Sequence, residues 1–175
     1  MVNTVKHLYM QAVHLISTDE PYLKVEAMKI LHKLVYEVKP TSGEVTFWQS
    51  HAAVELADMY LVGIEGNDYV EDDGIYVDII VDADLMEAFS LYRRALIMGC
   101  TDGVNAMAEI YMMLGDYEHS AELYACSVKY GYKNASNARK VLEYMISSGK
   151  IDSIPEVYRE PDGKPRFEYL ITHRG

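Results

Sequence analysis

Apolar residues recur every three to four positions along most of this chain, the spacing that gathers them on one face of an α-helix. In "NTVKHLYMQAVHLIS" the face is Val5, Leu8, Tyr9, Ala12, Leu15 and Ile16. A turn, "STDEP", follows, and Pro21 suits the first turn of a second helix carrying Leu23, Ala27, Ile30, Leu31, Leu34 and Val38. Pro40 and Gly43 stop that helix. A third is predicted from about Val45 to Leu61, with Phe47, Trp48, Ala52, Leu56, Ala57 and Tyr60 facing inward and Gly63 closing it.

Further on come "DLMEAFSLYRRALIMG", "DGVNAMAEIYMMLG", "DYEHSAELYACSVKYG" and "NASNARKVLEYMISSG". Each has Asp or Asn at its start and ends at a glycine (Gly99, Gly115, Gly131 or Gly149), the punctuation of successive capped helices. Short turns between them make neighbouring helices antiparallel hairpins.

The hairpins repeat. Asp84, Ala88, Leu91, Tyr92, Ala95 and Gly99 align with Asp116, Ser120, Leu123, Tyr124, Ser127 and Gly131 at an offset of 32 residues. The preceding helices align Ala52, Leu56, Ala57 and Tyr60 with Gly103, Met107, Ala108 and Tyr111 at an offset of 51, leaving an excess of 19. Nineteen is also the length of 66–84, "GNDYVEDDGIYVDIIVDAD", which is therefore expected to be an insertion between the two helices of one hairpin. A weaker copy precedes at Ala27, Ile30, Leu31, Leu34 and Val38. A decaying one follows, in which Arg139 and Glu143 fall where Met107 and Tyr111 stood, as capping repeats do.

"AAVELADMYLVG" with "DLMEAFSLYRRALIMG", and "GVNAMAEIYMMLG" with "DYEHSAELYACSVKYG", resemble the Sel-one-like repeat, a relative of the tetratricopeptide repeat. Ala52, Leu56, Ala57, Tyr60 and Gly63, then Ala88, Leu91, Tyr92, Arg94, Ala95 and Gly99, carry the resemblance, with Ser120 and Ser127 standing where such helices usually have alanine. It implies a right-handed array of α-hairpins that acts as an adaptor between proteins, without catalysis. The expected fold is all-α, with about seven or eight helices in a single domain over 1–175: an N-terminal hairpin (1–40), a repeat core (45–149) with its acidic insertion (66–84), and a C-terminal cap and tail (150–175).

Charge sharpens the picture. The formal net charge is −11, and the 53 positions between Lys39 and Arg93 hold twelve acids and no base, while the rest of the chain, with 15 acids and 16 bases, is close to neutral. A field of one sign repels phosphate and anionic lipid and steers basic partners, so direct binding to nucleic acid or membrane by this segment is not expected. With 15 Tyr and 10 Met, the chain is rich in residues that fill helical cores and adaptable binding faces. No apolar run is long enough for a membrane span. Cys100 and Cys126 lack paired spacing, and no secretory signal is visible, so free thiols in a cytoplasmic protein are expected.

Within the insertion, "GIYVDIIV" is β-branched and reads as a strand, and the tail "PRFEYLITH" alternates similarly. A small β ribbon of 75–81 with 166–172 is expected, the alternative being an ordered loop beside a loose tail. Metal readings fail on spacing. An EF-hand register with Gly74 sixth puts Tyr69 first and Ile80 twelfth, neither a ligand, and no Cys lies near a His at zinc spacing. There is no glycine-rich phosphate loop and no G-x-S-x-G elbow, so neither a cofactor nor catalysis is expected. Asp68, Glu71, Asp72, Asp73, Asp78 and Asp82 are the candidate partner-binding residues, directed at a protein with a basic surface. The rival readings are an acidic inhibitor mimicking nucleic acid, and a small-molecule binder or enzyme using a Tyr-lined groove.

Overall fold

The computed structural model describes residues 2–71 and 74–157, in which the chain forms seven helices and a two-stranded antiparallel sheet. They fall into two compact units, Met1–Cys100 and Thr101–Gly175.

The first unit contains α1 (Val2–Ile16), α2 (Pro21–Tyr36), α3 (Gly43–Val62), β1 (Ile64–Glu71), β2 (Gly74–Val81) and α4 (Leu85–Ile97). α1 packs on α2 and α3, α2 on α3, and α3 on α4. The interior is apolar: Leu31, Leu34, Leu56, Leu91 and Tyr92 are fully buried, and alanines at 52, 57, 88 and 95 leave room for helices to approach closely. Two residues of the expected inward faces lie outside: Leu23, in the first turn of α2, and Phe47 are exposed. Val38 falls past the end of α2, where its carbonyl and that of Leu34 accept bonds from the buried Gln49 amide at 2.6 and 2.9 Å. One side chain of α3 thus satisfies carbonyls that the last turn of α2 leaves open.

The second unit contains α5 (Val104–Met113), α6 (Tyr117–Tyr130) and α7 (Ala135–Ser147), with α6 packed on both others. Met107, Ile110, Leu123, Leu142 and Met145 form its core. The two aligned helices agree residue by residue: Ala88, Leu91, Tyr92 and Ala95 are buried in α4, as are Ser120, Leu123, Tyr124 and Ser127 in α6. The serines have a reason to be there. Ser120 donates to the Ala108 carbonyl of α5 at 2.7 Å, and Ser127 donates to Asn105 Oδ1 at 2.5 Å. In α7 the buried positions are Ala138, Leu142 and Met145, whereas Arg139 and Glu143 are exposed.

The expected insertion lies between α3 and α4, which pack on each other with the ribbon leaving from their ends. It differs from expectation in one respect. β2 pairs with β1, a strand the sequence pattern does not announce, and the expected partner, 166–172, lies outside the described residues. Proximity along the chain favours the β1–β2 pair: two residues join the strands, so closing this hairpin costs little entropy. The neck is tight. Gly63 ends α3 at φ 73° and ψ −170°, its N–H bonding to Met59 O, and the Asp84 N–H returns to Tyr60 O at 2.7 Å. The Asp84 side chain then caps α4 by accepting from the Met86 and Glu87 amides at 3.1 and 2.9 Å.

Candidate functional site

The two strands of the β hairpin carry three of the six candidate residues. Asp68 and Glu71 lie on β1 and Asp78 on β2. Asp68 is in register with Val77 and Glu71 with Gly74, so Asp68 and Asp78 come within a residue of each other across the ribbon. Asp82 follows β2 and is exposed. Asp72 and Asp73 lie outside the described residues. The register shifts between Ile64 and Glu65 and again between Glu65 and Asp68, two irregularities near the base that twist the strands. Beyond them, 68–71 pair regularly with 74–77.

Along α4, polar contacts tie it to α2 and α3. Tyr36 donates to Glu87 at 2.9 Å, and Arg94 donates to the Val35 carbonyl at 3.0 Å while lying over the Tyr36 ring at 5.0 Å. Burial first, then the Glu87 bond and charge, push the Tyr36 hydroxyl up to about 12. Tyr92 donates to Asp58. These contacts spend Glu87, Asp58 and Arg94 on the structure.

A second surface of this unit was not visible in the sequence. Tyr9 of α1 meets Trp48 of α3 at 5.3 Å, Phe47 meets His51 at 4.2 Å, and Lys6 lies over Trp48 at 5.6 Å. The Tyr9 hydroxyl reaches Glu55 at 3.4 Å. The contacts of Tyr9 and Lys6 with α3 join residues some forty positions apart, which leave no spacing signal to read.

The second unit has a groove of about 560 Å³ between α6, α7 and the segment after α7, floored by Ala125, Val128 and Leu142. Lys129 at its rim donates to the Val157 carbonyl at 2.6 Å. Cys126, on the same helix, is buried, and burial pushes its thiol up to about 12, with Glu122 adding to the effect. It is held as a thiol, the unreactive form.

Burial also raises the Glu122 carboxyl, against which a charged His119 acts, while Glu118 and Asp116 add to the rise. A carboxyl raised in the folded state stabilises the fold while protonated, and that contribution is lost as pH climbs through the folded value. At neutral pH a half-buried charge remains. Glu122→Gln should therefore raise the melting temperature by about 2 °C at pH 7, and the gain should vanish near pH 4, as followed by circular dichroism.

No family model, no curated protein and no solved structure matches this chain. No helix among the described residues is long and apolar enough to cross a membrane.

Proposed function

We propose that this chain is a protein-binding module in which stacked α-hairpins of the Sel-one-like type hold an acidic β ribbon toward a partner with a basic surface. The observation that supports this reading most is the coincidence of charge and architecture. The stretch with twelve acids and no base includes a hairpin that interrupts an otherwise helical pair, and the residues repeated around it are spent on packing. The equivalent burial of α4 and α6 supports the repeat reading. An adaptor acting in the cytoplasm, with neither cofactor nor catalysis, fits the free thiols and the lack of a phosphate loop or nucleophile motif.

Electrostatic complementarity acts mainly on the rate of encounter. Replacing Asp68, Glu71, Asp72 and Asp73 by their amides should slow association with a basic partner isolated by pull-down about tenfold at low salt and flatten the dependence of that rate on ionic strength. Stopped-flow mixing at several salt concentrations measures both, and a rate unchanged across them sinks the electrostatic reading. Displacement of duplex DNA from that partner would instead mark the protein as a nucleic-acid mimic.

A further inference from the structure

We propose that the outer edge of β2 receives an extended, lysine- or arginine-rich segment of a partner protein as a third strand. This rests on the reading of the ribbon as a docking element and specifies the backbone form of what docks.

The sheet has two strands, and β1 is the one packed against α2. Among the described residues, β2 pairs with β1 and with no other strand. In an antiparallel pair, alternate residues turn their N–H and C=O groups away from the neighbour, so half of the backbone of β2 is left for another partner. Proteins usually guard such an edge with lysine, proline, irregular pairing or a very short strand. β2 is eight residues long, reads "GIYVDIIV", and contains neither lysine nor proline. Both register shifts lie toward the base of the ribbon, leaving 74–77 as a regular template. A hairpin of two strands is marginal by itself, and a third strand supplies the missing hydrogen bonds.

Charge selects the occupant. The surrounding 53 positions hold twelve acids and no base, so an incoming strand gains by carrying Lys or Arg. A second copy presenting its own β2 would bring like charge against like. A helical segment, whose amides are already bonded within itself, could use the charge but not the edge.

The test uses the full chain and two synthetic probes: a labelled peptide of alternating Lys and Thr, and the same peptide N-methylated at every second amide. Methylation keeps the charge and removes the donors on one edge. Fluorescence anisotropy should show the methylated peptide binding at least about tenfold more weakly, the loss expected when several backbone bonds cannot form. Amide shifts induced by the unmethylated peptide should concentrate on 74–81. Equal binding by both peptides overturns strand addition while leaving the acidic docking reading intact, and binding by neither overturns both. Shifts confined to β1, or a β2 edge already occupied by residues 166–172 of the same chain, also overturn the proposal.

Discussion

Gly63→Ala should destabilise the first unit by about 3 kcal/mol. Gly63 holds φ 73° with ψ −170°, a region that is essentially closed to residues with a side chain. The space is closed as well. A Cβ there would lie 2.6 Å from the Val81 carbonyl oxygen and 2.9 Å from the Ala83 nitrogen, both backbone atoms that cannot rotate aside. Alanine at Gly99, also at positive φ but with nothing within 4 Å, is the control and should cost about 1 kcal/mol. Trp48, the chain's single tryptophan, lies in the first unit, so urea titration followed by its fluorescence measures both variants. Equal losses would mean that the neck yields.

Asn105→Ala should remove about 2 kcal/mol from the second unit, more than Ser127→Ala does. Asn105 accepts from Ser127 at 2.5 Å and donates to the carbonyls of Lys133 and Asn134 at 3.0 and 3.1 Å, so one amide on α5 ties α6 to the turn before α7. Removing the amide strands the buried Ser127 hydroxyl and returns two exposed carbonyls to water. Removing the hydroxyl leaves Asn105 its two donor bonds, and Ala95 occupies the aligned position in α4 without difficulty. The double variant should therefore cost little more than Asn105→Ala by itself, because the orphaned Ser127 is gone. Amide hydrogen exchange in α6 measures the series. A Ser127→Ala loss equal to that of Asn105→Ala would refute this division of roles.

The helical skeleton was legible because its signals are local and redundant. Apolar spacing set the buried faces, and Asp84, Asp116 and the glycines at 63 and 131 marked the ends that the backbone uses. The repeat offset located the interruption between α3 and α4. β1 escaped notice because Gly66 and Asn67 break its alternation at the place where the register shifts, so a period of two is absent from its sequence. Its partner looked like a lone strand, and the alternating tail looked like the match. Phe47 and Leu23 were assigned inward by helical spacing. Spacing gives a direction around the helix axis, but not whether a neighbouring helix reaches that turn, and both side chains stay exposed. The tie made by Asn105 could not be anticipated, since one polar residue on a helix has the same sequence appearance whether it faces water or bridges two neighbours.

The neck at Gly63 and Asp84 brings the ends of the ribbon to adjacent backbone, with the Asp84 amide on the Tyr60 carbonyl and Gly63 against Val81. A segment that departs and returns at one point makes few demands on the scaffold that carries it. The helical pair beneath can serve as a cassette holder: other loops, longer or of opposite charge, could be exchanged at this junction without redesigning α3 or α4, so the ribbon and the stability of its scaffold are free to vary separately.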